Sequence, residues 1–164
     1  MAKTYDYADG YRSAGLLQAA ADHLSAAQTL FKDENVEHLD SAGYLAHLGV
    51  ELMLKAMLLH TVREFPETHS LEGLYGDVVP HYPKAKLRGC ESPYRGILIA
   101  LDKFYALRYP SLPESPGVSR GDWSAIKLFV DRLREAMPTE LRKEFDARGQ
   151  AEKSGRIVLD RDHR

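Results

Sequence analysis

The segment from Ser41 to Glu64, SAGYLAHLGVELMLKAMLLHTVRE, limits most strongly how this chain can fold. Apolar residues recur along one side at helical spacing: Leu45, Leu48, Leu52, Ala56 and Leu59. Others cover much of the opposite side: Val50, Leu54, Met57 and Leu58. A helix that is apolar nearly all round is buried nearly all round. We therefore predict that this segment is the central helix of a bundle or part of a dimer interface, and that it stops before Pro66.

One polar line interrupts this apolar segment. His47, Glu51 and Lys55 follow each other at steps of four, so they lie on one side of the helix. On an exposed surface, the Glu51–Lys55 pair would contribute only about 0.2 to 0.5 kcal/mol. If the line is buried, each charge needs a partner, because desolvation costs several kcal/mol. The pattern leaves open whether the line is a solvated edge, the lining of a cleft or a dimer seam.

Helical periodicity also predicts the elements on either side of the central helix. A long helix over residues 11–32 comes before it, and we expect Asp40 or Ser41 to cap the central helix itself. After Pro66, the hydroxyls of Thr68 and Ser70 can cap a short helix over residues 71–79.

Two more helices of ordinary length follow in the second half of the chain. The first begins at Ser92 and Pro93 and is ended by Pro110, and the second is capped by Asp122 and runs to about Met137. A last helical piece is stopped by Gly149. The sequence has no alternating strand pattern of useful length. The prediction is an all-α fold, an up-and-down bundle of four principal helices with one or two additional short helices.

Length and composition fit one domain. The chain has 164 residues, of which 44% are hydrophobic and 28% charged, as in an ordinary globular protein. We assign residues 1–149 to the domain and expect residues 150–164 to be a charged, flexible tail. With one cysteine, Cys90, the chain forms no internal disulfide and no cysteine-based zinc site. We find no signal-peptide pattern and no apolar run long enough to cross a bilayer, so we expect a cytoplasmic protein with no membrane partner.

Charge is distributed unevenly. Residues 1–79 carry 5 Lys and Arg against 12 Asp and Glu, whereas residues 80–164 carry 17 against 12. Such asymmetry can steer an anionic partner, or bring two copies together acidic half to basic half, although a solvated surface of mixed charge gives the same count.

Three motifs resemble the HEPN superfamily and come in its order. GVELMLKAMLLH, residues 49–60, resembles the signature helix with its Glu and Lys. THSLEGL, residues 68–74, is similar to the family's Thr-His-Asp-Leu turn, with Ser70 in place of Asp, and YALRYP, residues 105–110, to the Arg-Tyr-Pro ending of the next long helix. The resemblance implies a helical bundle that often dimerises, with roles in nucleotide or RNA binding. It also implies a nucleotidyltransferase-like partner or a place in a toxin–antitoxin or defence system.

Many HEPN proteins are metal-independent ribonucleases that use an Arg followed four to six residues later by a His. Here Arg108 is followed by YPSLPESP, and the next histidine is His163, so the usual pair is absent. Arg63 and His69 satisfy the spacing, but they lie on either side of Pro66. A ribonuclease toxin using Arg63 and His69, or a site shared between two subunits, is the alternative prediction.

The sequence favours a binding module over an enzyme without deciding between them. Four residues are predicted to contact a nucleotide or other anion: Lys55, His69, Arg95 and Arg108. We predict a homodimer that acts with a nucleotidyltransferase-like partner. No metal-binding or nucleotide-cofactor motif is recognisable, so neither a metal nor a cofactor is predicted. A purely structural helical scaffold is the remaining alternative.

Overall fold

A computed structural model describes residues 3–33, 36–82, 87, 91–106 and 119–153. Helices account for most of this part of the chain, which confirms the predicted all-α bundle. The helices are α1 (Ser13–Lys32), α2 (Leu39–Val62), α3 (Leu71–Val78), α4 (Glu91–Ala106), α5 (Asp122–Ala136) and α6 (Thr139–Lys153). Short 3-10 turns, Val36–His38 and Val79–His81, lie before α2 and after α3.

Helix α2 is the centre of the bundle, as predicted. It packs against α1, α3, α4 and α5, and Val50, Leu54 and Met57 on it are fully buried. It lies close against α1 at Gly49, where a Cβ atom would lie 2.5 Å from Leu24 Cγ and 3.2 Å from the Ala20 carbonyl oxygen. Only a residue without a side chain fits there, so Gly49 sets how closely the two longest helices pack.

Helix α2 also corrects one sequence prediction. By length and composition alone, Leu39–Val62 is long and apolar enough to cross a membrane, contrary to the sequence prediction that no such run exists. Two thirds of its most apolar window is buried inside the protein. The core helix of a bundle passes the same compositional test, and α2 is such a helix.

A small sheet was missed by the sequence analysis. Strand β1 (Thr4–Asp6) pairs antiparallel with β2 (Glu64–Pro66), with Tyr5 opposite Phe65. The chain turns from α2 into β2 at Arg63, which has a left-handed backbone with φ of 72°. Strands of three residues are too short to show a period of two, and the rings of Tyr5, Tyr11 and Phe65 pack together to hold the pair.

Helix starts agree with the predictions only in part. Ser70 caps α3 by accepting a hydrogen bond from the Gly73 amide at 3.2 Å, as predicted. The N-cap residue of α2 is His38, whose side chain makes no capping hydrogen bond, because the 3-10 turn leads directly into the helix and places Asp40 in the first turn. Asp122 is the first residue of α5 and accepts from the Ser119 amide at 2.8 Å, so it secures the preceding turn. Ser92 lies inside α4, one residue after its start.

The last helix is longer than predicted. Helix α6 continues through Gly149 to Lys153, so the predicted stop at Gly149 is wrong. A glycine inside a helix costs about 1 kcal/mol relative to alanine, and packing of α6 on α1, including Arg148 bound to Asp22 at 2.7 Å, offsets that cost. The helix crosses the domain boundary predicted at residue 149, and residues 154–164 of the predicted tail lie outside the described residues.

Candidate functional site

The polar line on α2 is buried. His47 is 0%, Glu51 4% and Lys55 7% exposed. The interpretation as a solvated helix edge is therefore wrong, because α3, α4 and the turn before α3 pack over this side of α2. Burial makes the partners of these three side chains decisive for stability.

Glu51 binds two basic side chains. Its Oε1 accepts a hydrogen bond from Lys55 Nζ at 2.7 Å and another from His69 Nδ1 at 3.0 Å, and His69 Nδ1 is also 3.2 Å from Oε2. The Lys55 ammonium lies 5.5 Å from the centre of the Phe65 ring on β2. Glu51 and an aromatic ring therefore stabilise the positive charge of Lys55 inside the protein.

His69 presents an ordered imidazole at the surface, just before α3. Its ring stacks on Tyr105 of α4, with the ring centres 4.3 Å apart and the planes 18° from parallel. The side chain is 45% exposed. Glu51 occupies Nδ1, and Nε2 has no hydrogen-bond partner among the described residues. The ring is therefore held on two sides while part of it remains accessible to a ligand.

His47 holds the backbone of the same turn from inside. Its Nε2 lies 3.0 Å from the carbonyl oxygen of His69 and 3.3 Å from Asp102 Oδ1. Both atoms only accept, so Nε2 carries the proton and donates. His47 Nδ1 is buried 3.7 Å from Glu51 Oε2 and has no hydrogen-bond partner within the described part of the chain.

Asp102 of α4 binds the start of α3. It accepts hydrogen bonds from the Leu71 amide at 2.8 Å, the Ser70 hydroxyl at 3.4 Å and the Glu72 amide at 3.5 Å. Partial burial alone would raise the pKa of Asp102, but the hydrogen bonds from His47 and from these two amides outweigh burial and lower its pKa below the usual value. Asp102 is therefore an anion that ties α4 to α3 and to His47.

The predicted site residues fall into separate places. His47, Glu51, Lys55 and His69 meet in one cluster, which we call the His69 cluster together with Asp102 and Tyr105.

Arg95 lies elsewhere, about two helical turns before Asp102 on α4. Its side chain is 69% exposed, and its Nε donates to Glu72 at 2.9 Å. It lines a cavity of about 700 Å³ with Tyr75, Val79 and Leu98.

Arg63 also lies outside the His69 cluster. The Arg63 guanidinium lies 5.7 Å from the Tyr7 ring centre at the end of α2, whereas His69 contacts Glu51 and Tyr105. The catalytic pairing of Arg63 with His69 stays a prediction. Arg108, the fourth predicted anion-binding residue, lies outside the described residues.

Two members of the cluster were missed by the sequence analysis. Asp102 is an acidic residue close in sequence to the buried Leu101 and Phe104. That position is the one local indication that its carboxylate has a partner inside the protein. Tyr105 follows it by three residues and so lies on the same side of α4. Within the described ranges, no set of three or more His, Cys, Asp or Glu side chains is arranged to hold a metal ion.

A family model describing the HEPN domain matches residues 13–140, from the first residue of α1 into the first turn of α6. The match covers most of the chain and agrees with the helical architecture, so the chain belongs to the HEPN family. It is thus a helical module of a nucleotide- and RNA-related family. Comparisons with curated proteins and with solved structures gave no match.

Proposed function

We propose that this chain is a HEPN module that binds a nucleotide or RNA at His69 and works with a second protein. The observation that carries the proposal is the half-exposed His69 imidazole, fixed by the buried Glu51 carboxylate and stacked on Tyr105. A rigid ring next to a second aromatic ring suits nucleic acids, since stacking of one base on an aromatic side chain contributes about 1 to 3 kcal/mol.

In this proposal the predicted anion-binding residues have two different roles. Lys55 is buried against Glu51, so in this proposal it stabilises the carboxylate that holds His69 and does not contact the ligand. His69 and Arg95 are exposed enough to contact a phosphate, although Arg95 must first leave its surface pair with Glu72. An exposed pair contributes about 0 to 1 kcal/mol, so this exchange is cheap.

Association with a second copy of the chain and with another protein is also part of the proposal. The acidic first half and basic second half of the sequence favour association of two copies or docking on a charged protein. We propose a homodimer paired with a nucleotidyltransferase-like protein or with the other member of a toxin–antitoxin or defence pair.

Calorimetric titration of the whole chain with nucleotides and with a short single-stranded RNA tests the binding role. His69→Ala should weaken binding by about tenfold or more, the equivalent of 1.4 kcal/mol. His38→Ala is a matched control, because His38 is similarly exposed and its Nδ1 is also held by a carboxylate, Asp33, at 2.9 Å. Absence of binding to every ligand, or equal affinity of the His69→Ala and wild-type proteins, would refute the proposal.

A ribonuclease is the second candidate, and the Glu51–His69 pair favours it. An imidazole with Nδ1 held by a carboxylate and Nε2 accessible is suited to move a proton near neutral pH. Incubation of purified protein with total RNA and a metal chelator should then give cleavage that His69→Ala and Arg63→Ala abolish. Intact RNA after incubation with the wild-type protein removes this candidate.

A further inference from the structure

Glu51 determines which nitrogen of His69 carries the proton in the neutral ring. An ionised carboxylate only accepts hydrogen bonds, so His69 Nδ1 donates to Glu51 at 3.0 Å. The other nitrogen, Nε2, then has a lone pair and no proton. A lone pair repels a phosphate oxygen, so His69 can hydrogen-bond an anion only after Nε2 has gained a proton.

The side chains around His69 accommodate that extra positive charge. Glu51 of α2 binds it, Lys55 binds the same Glu51 oxygen, and Tyr105 of α4 stacks on it. Asp102 of α4 is linked to it through His47, which contacts both Asp102 and the His69 carbonyl. Glu72, on α3, points to Arg95 at the surface. Glu51 and Asp102 contribute two negative charges and Lys55 one positive charge, so the His69 cluster carries one net negative charge while both histidines are neutral. One proton makes it neutral.

His47 is the other group that could take the proton. Its Nε2 already donates to the His69 carbonyl and to Asp102, and its Nδ1 lies 3.7 Å from Glu51 Oε2 with no hydrogen bond to any described residue. The ligand does not reach His47, because its side chain is fully buried. A proton placed there would leave Nε2 of His69 unable to donate, whereas a proton on His69 serves both Glu51 and the ligand.

We propose that a phosphate-bearing ligand binds at His69 together with one proton, and that His47 is a positioning residue that holds the His69 backbone. The proton comes from the buffer and goes to His69 Nε2, which then donates to a phosphate oxygen while Nδ1 keeps its bond to Glu51. This inference rests on the proposed binding of nucleotide or RNA at His69 and names the chemistry that the ligand must have.

The test is a calorimetric titration of the full chain with a short adenylate RNA that has hydroxyl ends, because its phosphodiesters do not titrate near neutral pH. The titration is repeated in buffers of different ionisation enthalpy, and the slope of observed enthalpy against buffer enthalpy counts the protons taken up. At about pH 8 the binding of each RNA should take up protons from the buffer, to a limit of one, because Nε2 must gain a proton before it can donate to a phosphate oxygen. Affinity should fall by up to about tenfold per pH unit on the alkaline side.

Two glutamine variants locate the proton. His69→Gln keeps a side-chain amide donor but cannot titrate, so proton uptake should disappear while some binding remains. His47→Gln can still donate to the His69 carbonyl, so both affinity and uptake should stay close to wild type. His47→Leu removes that donor and should weaken binding several-fold in protein that circular dichroism shows to be folded.

The outcomes of these experiments distinguish RNA binding, proton uptake and the positioning role of His47. If the wild-type protein does not bind RNA, the proposed function fails and this inference fails with it. Binding without proton uptake overturns the inference alone, as does uptake that persists in His69→Gln or vanishes in His47→Gln. Wild-type affinity in His47→Leu overturns the positioning role. Nitrogen NMR of the free protein at about pH 8 needs no variant. A neutral His69 that carries its proton on Nε2 would contradict the inference that Glu51 keeps this proton on Nδ1.

Discussion

Replacing Glu51 with leucine removes the carboxylate that neutralises a buried ammonium. Lys55 Nζ lies 2.7 Å from Glu51 Oε1. When the carboxylate is removed, the ammonium keeps its contact with the Phe65 ring, whose centre is 5.5 Å away. Breaking a buried pair on one side costs about 3 to 5 kcal/mol. A cation–π contact offsets about 0.5 to 2 kcal/mol of that loss. We expect the free energy of unfolding to fall by roughly 3 kcal/mol, a large share of the 5 to 15 kcal/mol typical of a domain.

Urea unfolding at about pH 7 measures this loss in four proteins: wild type, Glu51→Leu, Lys55→Met and the double variant. The double variant leaves no unpaired ammonium, so its stability should return to within about 2 kcal/mol of wild type. Asp131→Leu is the matched control. Asp131 pairs with Lys127 at the same 2.7 Å and the same four-residue separation, but these side chains are 47% and 55% exposed.

The control should lose less than about 1 kcal/mol. If Glu51→Leu costs no more than Asp131→Leu, Lys55 is solvated in the folded protein and the reasoning about the buried line is wrong. If the double variant is as unstable as Glu51→Leu, the loss comes from the apolar replacement and not from an unpaired charge.

Two further predictions concern pH and helix packing. Because the folded protein lowers the pKa of Asp102, this group adds stability above its unfolded pKa of about 3.9, and the addition is lost as pH falls through the folded value. Urea unfolding between about pH 6 and pH 3 should show a smaller decline for Asp102→Asn than for wild type, and parallel curves would contradict this. Gly49→Ala should lower the free energy of unfolding by about 1 to 3 kcal/mol, because its Cβ would meet Leu24 at 2.5 Å. Gly15→Ala, with open space around its Cβ, should raise stability by about 0.5 to 1 kcal/mol, and equal effects would show that the α1–α2 contact is not tight.

The helices were predictable because their signals are local. The apolar coverage of residues 41–64 required a buried helix, and α2 is buried. Ser70 caps α3 because a hydroxyl three residues before an amide can reach it whatever surrounds it. The stop predicted at Gly149 failed because the cost of a helical glycine is small compared with the packing of α6 on α1.

The His69 cluster was only half predictable because it is assembled from distant parts of the chain. The line His47, Glu51 and Lys55 was visible, since one helix presents it. Its burial depends on the packing of α3 and α4 over α2, and its contact with Asp102, 55 residues after His47, has no local sequence pattern. Strand β1 was not predictable either, because its partner residues lie about 60 positions later in the chain.

Ser70 shows how a departure from the family pattern changes what the turn depends on. An aspartate here would offer a carboxylate to the first amides of α3 from within the turn itself. In this chain Ser70 caps the Gly73 amide, and the carboxylate at the Leu71 and Glu72 amides comes from Asp102 on α4. Asp102 also accepts from His47, which holds the carbonyl of His69. The position of His69 therefore depends on the packing of α4 against α2, so a partner or ligand that moves α4 would move the imidazole with it.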